Sequence, residues 1–241
     1  MITTETKKHA YWAVVPAAGA GKRMQADIPK QYLEIQQKPI LAHTIGGLLA
    51  HRRITGVVVA VSVDDERWQH LSFASDKPVI AVAGGTERHF SVKNALDRLS
   101  DIASDDDWAL VHDAARPCLR HQDIDHLIDE ISQHPVGGLL AYPVRDTMKR
   151  SDENNTVIQT VEREALWHAL TPQMFRINTL REALQMTIDN QVQVTDEAAA
   201  MEYMGLVPKL VLGRADNIKI TTPEDLSLAA FYLEKISASN A

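Results

Sequence analysis

Cysteine is almost missing from this chain. Cys118 is its single thiol, so an intrachain disulfide and a cysteine-rich zinc site are both excluded. That residue is expected to pack as a small buried hydrophobe. Positive charge is also in deficit: 25 Lys and Arg stand against 32 Asp and Glu, a net charge of −7, which argues against general nucleic-acid binding. An anionic small substrate is still compatible, provided cations gather locally. No apolar stretch approaches the ~20 residues needed to cross a bilayer, and Met1 to His9 is polar with no apolar core. Neither a membrane span nor a secretory signal is expected, and the expected setting is cytoplasmic and reducing. The ten histidines show no metal-ligand spacing. With no internal repeat, low-complexity run or interdomain linker, residues 1–241 are expected to form one large α/β domain with a full core.

What the chain does have is a concentrated loop. The apolar run Tyr11-Trp12-Ala13-Val14-Val15 reads as a first β-strand. It leads into Pro16-Ala17-Ala18-Gly19-Ala20-Gly21-Lys22-Arg23-Met24, with Pro29-Lys30-Gln31-Tyr32 just beyond. Glycines and small residues let backbone approach a ligand where a Cβ would stand in the way. Lys22, Arg23 and Lys30 fall within nine positions, and exposed N–H groups beside concentrated positive charge suit a polyphosphate. The loop is not a P-loop, because Pro16 and Arg23 occupy places that motif gives to Gly and to Ser or Thr. Nor is it a dinucleotide fingerprint, since Met24 replaces the third glycine. The plain alternative is a glycine turn with solvated charges; the preceding strand and the three cations favour a phosphate site.

Further along, strand and helix patterns alternate. Pro39 to His51 carries Leu41, Ile45, Leu48 and Leu49 at helical spacing, with Pro39 suited to a first turn. Val57 to Val63 is β-branched and nearly continuous, as in a strand buried on both faces of a parallel sheet. Asp64 is expected to cap a helix running toward Phe73. Strands are expected at Pro78–Ala83, Trp108–His112 and Gly137–Val144, and helices at Phe90–Leu99 and His121–His134. This alternation predicts a doubly wound, mostly parallel sheet, in which ligands bind at the carboxyl ends of strands. The glycine loop, Gly84-Gly85 and Asp113 all fall at such ends. Between Val144 and Leu170 the alternation breaks. Arg145–Arg150 and Thr156–Glu164 flank the polar turn Ser151–Asn155, and Val157, Gln159 and Val161 alternate, so a β-hairpin is expected there. An isolated hairpin is marginal in water, so it should pack against something else. Helices are expected at Asn178–Asp189, Thr195–Tyr203 and Pro223–Ile236, with a strand at Leu210–Leu212.

Several strings stand out within this frame: Gly84-Gly85-Thr86-Glu87-Arg88-His89-Phe90-Ser91-Val92, Val111-His112-Asp113-Ala114-Ala115-Arg116-Pro117, Asp146-Thr147, Arg163, Thr171-Pro172-Gln173 and Gly213-Arg214-Ala215-Asp216-Asn217-Ile218-Lys219. Singly, a glycine pair is a turn, an Asp at a strand end is a cap or turn former, and a lone Arg or Lys is a surface charge. Together with the first loop they resemble the sugar-alcohol-phosphate cytidylyltransferases, over roughly Trp12 to Leu233. Within these, the nearest likeness is to the family that serves the non-mevalonate isoprenoid pathway, acting on 2-C-methyl-D-erythritol 4-phosphate.

The resemblance implies a Rossmann-like nucleotidyltransferase fold with a protruding β-hairpin arm at about 144–168 through which a homodimer forms. It implies a CTP site made by Pro16, Ala17, Ala18, Gly19, Gly85, Thr86, Ser91, Asp113 and Ala114, with Ala17, Ala18, Gly85, Thr86 and Ser91 around cytosine. Thr86 stands where relatives can carry an acidic residue. Asp113 would contact ribose or Mg²⁺, directly or through water, while Arg88 and Arg116 support the loops. Thr147 and Arg163 of one subunit would meet Thr171 and Lys219 of the other around the acceptor, with Asp216 in the same site or fixing the geometry near Lys219. His112 and His168 are expected to pack rather than catalyse. The chain's extent is expected to leave no room for a fused downstream enzyme.

The implied reaction is attack by an acceptor phosphate oxygen on the α-phosphorus of CTP, with release of pyrophosphate. A phosphate monoester with a second pKa of about 6 is already ionised at neutral pH, so no general base is required. The tasks are to align two anions and to stabilise the transition state. Arg23 and Lys30 are expected at the transition state, Arg163 and Lys219 at the incoming phosphate, and Mg²⁺ across triphosphate oxygens. Three alternatives are a ribitol 5-phosphate cytidylyltransferase, which would share nearly all these motifs, a nicotinamide-dependent dehydrogenase, which the missing third glycine disfavours, and a non-catalytic nucleotide sensor, which would be expected to lose Lys30 or Lys219.

Overall fold

The computed structural model describes residues 9–19 and 28–239. The strands and helices, in chain order, are β1 (Tyr11–Pro16), β2 (Glu34–Ile35), β3 (Lys38–Pro39), α1 (Ile40–Ala50), β4 (Ile54–Val61), β5 (Val79–Ala83), α2 (Arg88–Ser100), β6 (Trp108–Val111), α3 (His121–Ile131), β7 (Gly137–Pro143), β8 (Met148–Ser151), β9 (Val157–Val161), β10 (Trp167–Arg176), α4 (Ile177–Asp189), α5 (Glu197–Tyr203), β11 (Lys209–Leu212) and α6 (Pro223–Ser239). Seven strands form one sheet in the order β11-β7-β10-β6-β1-β4-β5. β1 pairs in parallel with both β4 and β6, as do β4 with β5 and β7 with β11.

Strand periodicity divides the core into two layers. Ala13 and Val15 of β1 face one side, where Leu41, Ile45 and Leu48 of α1 and Ile124, Leu127 and Ile128 of α3 pack. Trp12 and Val14 face the other, against Val92, Leu96 and Leu99 of α2 and Leu180 and Leu184 of α4. Helices therefore cover both faces, as the alternating pattern predicts. A third cluster joins α6, through Ala229, to Ile35, Ile40, Cys118 and Ile220. Cys118 is buried and free, and burial pushes its thiol up to about 12. No helix among the described residues is long and apolar enough to cross a membrane.

β1 lies between β4 and β6, so the connections leave it toward opposite edges of the sheet. A crevice opens at the carboxyl end of such a strand. The segments after β1, β5 and β6 all reach that end, and this is how the fold gathers motifs distant in sequence.

Two expectations are corrected. The helix from Asp64 toward Phe73 does not form; only a single 3₁₀ turn, Trp68–His70, is present. Asp65 rather than Asp64 organises the turn: its Oδ1 accepts from the Arg67 and Trp68 N–H groups, and its Oδ2 accepts from the Tyr32 hydroxyl at 2.7 Å. Trp68, Leu71 and Phe73 lean on the core in a spacing that does not suit one helical face. Second, the stretch after the hairpin, for which the sequence pattern gives no element, forms a strand. Trp167–Arg176 is the longest strand of the sheet and pairs antiparallel with both β6 and β7. Pro172 within it argues against a central strand by the usual rule, but the ladder with β7 shifts register between Ala169 and Gln173, so the proline sits where pairing is interrupted. The Thr171-Pro172 peptide is cis.

The expected hairpin forms as a separate two-stranded sheet of β8 and β9. Its turn is held by Asp152, whose Oδ1 accepts from the Asn154 and Thr156 N–H groups, while Asn155 takes the positive φ of 62° that Asn tolerates well.

Candidate active site

The site is built from loops whose backbones are tied before any ligand is considered. The Ala17 N–H donates to the Ala60 carbonyl at 2.7 Å, extending the β1–β4 ladder by one step. The buried Gln31 side chain donates from Nε2 to the Ala17 carbonyl, also at 2.7 Å. Ala18 and Gly19 continue past this clamp into a cavity of about 200 Å³. Opposite them runs Gly84-Gly85. A Cβ on Gly84 would lie 2.3 Å from the Ala18 Cβ, and one on Gly85 would lie 2.2 Å from the Phe90 Cβ, so only glycine lets these two loops meet. The Ser91 hydroxyl accepts from the Gly85 N–H at 3.0 Å and donates to the Glu87 carbonyl at 3.3 Å. Ser91 thus shapes the wall of the cavity with a hydroxyl already engaged.

The floor is charged. Asp113, just beyond β6, places Oδ1 3.2 Å from Arg88 Nε, and Oδ2 2.9 Å from Lys219 Nζ and 3.3 Å from Arg116 Nε. Burial pushes the Asp113 carboxyl up, but Arg88, Lys219 and Arg116 together pull it well below the usual carboxylate range. Arg88 also forks onto Glu197 at the start of α5, with Nη1–Oε1 2.5 Å and Nη2–Oε2 3.1 Å. Arg116 Nη1 donates to the Asn217 carbonyl at 2.7 Å, tying the segment after β6 to the one before α6. Lys30 Nζ donates to the Ile220 carbonyl at 3.1 Å and reaches the same cavity.

Behind Asp113 a neutral relay fixes the strand ends. Thr171 Oγ1 accepts from the Asp113 N–H at 3.1 Å, so its own proton goes to His112 Nδ1 at 2.9 Å. His112 Nε2–H then donates to the Arg116 carbonyl at 2.9 Å. This tautomer satisfies every group, and burial lowers the His112 pKa to about 4, which keeps the ring uncharged. His112 therefore packs, as expected from sequence. His168 stacks on Tyr142 with centroids 4.5 Å apart.

Pro16, Ala17, Ala18, Gly19, Lys30, Gly85, Thr86, Ser91, Asp113, Ala114 and Lys219 all line one cavity. Thr171 lines an adjoining one with Arg88, Asp113, Arg116 and Lys219, but its hydroxyl is spent on the relay. Three of the expected residues lie elsewhere. Thr147 and Arg163 are exposed on the arm, where the Arg163 guanidinium donates to the Arg145 carbonyl. Asp216 is not among the described residues of either cavity wall; it pairs with Arg120 at 2.6 Å and Arg214 at 3.3 Å. Arg23 falls outside the described residues. Sequence reasoning missed Gln31, Asn217 and Glu197. Gln31 and Asn217 sat inside quoted strings without an assigned task, while Glu197 looked like one more acidic residue in a helix start.

No group of three or more His, Cys, Asp or Glu side chains that could hold a metal ion occurs among the described residues. Of the two carboxylates lining this cavity, Glu87 and Asp113, the buried Asp113 already has both oxygens committed to cations. The described residues do not make a protein cage for a divalent cation.

A glycine-lined cavity at the switch point of a doubly wound sheet, floored by paired cations, defines a protein that binds a nucleotide or other phosphorylated small molecule. The family model described as IspD, 2-C-methyl-D-erythritol 4-phosphate cytidylyltransferase, matches residues 11–235, and the chain belongs to this family. The protein of that name from Vibrio vulnificus strain YJ016 is 56% identical over 223 residues, covering 92% of this chain and 94% of the relative. The Pseudomonas fluorescens Pf0-1 protein is 52% identical over 218 residues, covering 90% and 93%. Among solved structures, a 4-diphosphocytidyl-2C-methyl-D-erythritol synthase superposes with a TM-score of 0.82 at 36% identity, covering 94% of this chain and 99% of the other. The Francisella tularensis 2-C-methyl-D-erythritol 4-phosphate cytidylyltransferase gives 0.81 at 35% identity, covering 92% and 99%.

Proposed function

We propose that this chain transfers the cytidylyl group of CTP to 2-C-methyl-D-erythritol 4-phosphate, releasing pyrophosphate and forming 4-diphosphocytidyl-2-C-methyl-D-erythritol for isoprenoid precursor synthesis. Membership of the family supports the reaction. The observation that carries the site is the convergence of Lys30, Lys219 and Asp113 on the glycine-lined cavity. In this reading Ala17, Ala18 and Gly85 offer backbone close to the base, and the Ser91 hydroxyl holds the Gly85 turn in place. Asp113 accepts from the ribose, while Lys30, together with Arg23, stabilises charge at the α-phosphorus.

The acceptor phosphate attacks the α-phosphorus; the new P–O bond forms as the bond to the β-phosphate oxygen breaks, and pyrophosphate carries away the electron pair. Lys219 holds the incoming phosphate from the cavity. Arg163 and Thr147 reach it only from a second copy of the chain, so the working unit in this proposal is a homodimer joined through the arm. Mg²⁺ is proposed to enter with the triphosphate, whose oxygens are hard donors, since the described residues offer no cage of their own. The test is pyrophosphate release from CTP with Mg²⁺, comparing 2-C-methyl-D-erythritol 4-phosphate with ribitol 5-phosphate. A strong preference for the former is expected. Preference for ribitol phosphate would keep the chemistry and overturn the acceptor; release with neither, despite CTP binding, would overturn catalysis.

A further inference from the structure

Glu197 takes no part in the reaction as described, yet it is a carboxylate only 1% exposed, facing the reactive cavity through one side chain. Burial pushes its pKa up despite the Arg88 fork. Desolvating two charges offsets much of their mutual attraction, so a buried pair of this kind is by itself little asset to folding. Nor does α5 need it as an anchor. Ala198, Ala200 and Met201 are buried in the core, and Gln173 ties the helix start by accepting from the Ala198 N–H at 2.8 Å and donating to Asp196 at 3.0 Å. Buried ion pairs can often be replaced by apolar residues at no loss of stability. The pair is therefore best explained by what it places.

The Arg88 guanidinium is planar and spends all three nitrogens on two carboxylates: the Nη1 and Nη2 fork on Glu197, and Nε on Asp113 Oδ1. Fixing the fork fixes the plane, and fixing the plane fixes where Asp113 Oδ1 is held. Oδ2 is thereby left to Arg116 and Lys219. Of these cations Lys219 is the most exposed, at 37%, and it lines both cavities. With Glu197 in place, the cluster of Arg88, Arg116 and Lys219 against Asp113 and Glu197 keeps one net positive charge.

We propose that Glu197 is a positioning residue: by holding Arg88 in one plane it aims Asp113, and through Asp113 it sets the resting place of the Lys219 ammonium. Without that hold, Arg88 turns its fork onto Asp113, takes both carboxylate oxygens and displaces Lys219. The effect on turnover rests on the transfer reaction proposed above; the effect on nucleotide binding does not, because Asp113 lines the cavity in either case.

The test is a double-mutant cycle of Glu197→Gln, Arg88→Met and the pair, with melting temperature followed throughout. Each single variant is expected to lower kcat/KM for the acceptor by about tenfold, and the double variant to lose no more than the worse single, because Glu197 acts only through the Arg88 hold on Asp113. Losses that multiply, a Glu197→Gln enzyme within about twofold of wild type, or a loss matching the unfolded fraction alone would overturn the proposal. CTP binding by calorimetry, without acceptor, reads the same cycle independently. Weakening by about threefold or more, again non-additive, is expected; unchanged binding in both singles would overturn it, even if no acceptor turned over. Should Glu197→Gln fold poorly, the double variant, which removes both buried charges, carries the comparison with Arg88→Met.

Discussion

The strand-end cavity and the β8–β9 arm are built on opposite terms. In the cavity the charged groups are tied down: Asp113 by three cations, Arg88 by Glu197, Arg116 by the Asn217 carbonyl and Lys30 by the Ile220 carbonyl. On the arm, Thr147, Val157, Ile158 and Arg163 are exposed, and the hairpin is held by its own ladder and an Asp152 turn. One region is preorganised for an anion. The other presents apolar side chains and a cation to solvent, which suits a surface completed by another chain. In the proposed function the cavity of a single chain takes the nucleotide, and the arm of a second copy completes the acceptor site.

The largest effect should fall in the cavity. Lys30→Ala is expected to lose on the order of 10²-fold or more in kcat with the fold retained, measured by steady-state pyrophosphate release; near-wild-type turnover would remove Lys30 from the transition state. Gly84→Ala should come next, because its Cβ would stand 2.3 Å from that of Ala18. CTP binding is expected to weaken by about tenfold or more as the two loops separate, read by calorimetry. On the arm, Arg163→Ala should raise the acceptor KM by about tenfold while leaving CTP affinity within about twofold. Equal damage to both would erase the distinction between the regions.

Smaller effects test the relay beneath the cavity. Burial lowers the His112 pKa from an ordinary 6.5 to about 4. A group so depressed supports folding fully above its unfolded value and loses that support as pH falls toward its folded one. About 3 kcal/mol of unfolding free energy should therefore drain away between pH 7 and pH 4. His112→Gln should flatten that slope in urea titrations, whatever its baseline stability. Smallest of all, Cys118 should stay unreactive toward thiol reagents at pH 8 until the chain is unfolded, since burial raises its pKa to about 12.

Most of the cavity was legible in sequence because close approach and charge leave local marks: glycine pairs, an Asp at a strand end, and lysines beside a loop. The sheet was legible for the same reason, through β-branched runs such as Val57–Val61. What escaped depended on partners far away in the chain. β10 was hidden by Pro172, which only a register shift against β7 makes compatible with a central strand. Glu197 acquires meaning only through Arg88, 109 residues away. Asp216, read as part of the acceptor site, is taken up by Arg120, a pairing that no local spacing announces. The expected helix after Asp64 failed because Asp65 bonds to Tyr32 across 33 positions.

In the proposed enzyme one chain's cavity and another chain's arm together make the cytidylyltransferase site for methylerythritol phosphate. The most direct test mixes two variants, Lys219→Ala and Arg163→Ala, each deficient alone, and assays CTP and 2-C-methyl-D-erythritol 4-phosphate after subunit exchange. After random exchange about half of the dimers are mixed, and each mixed dimer carries one of its two sites free of both substitutions, so recovery toward about a quarter of wild-type activity is predicted. No recovery, with exchange verified by mass spectrometry, would contradict a site shared between subunits.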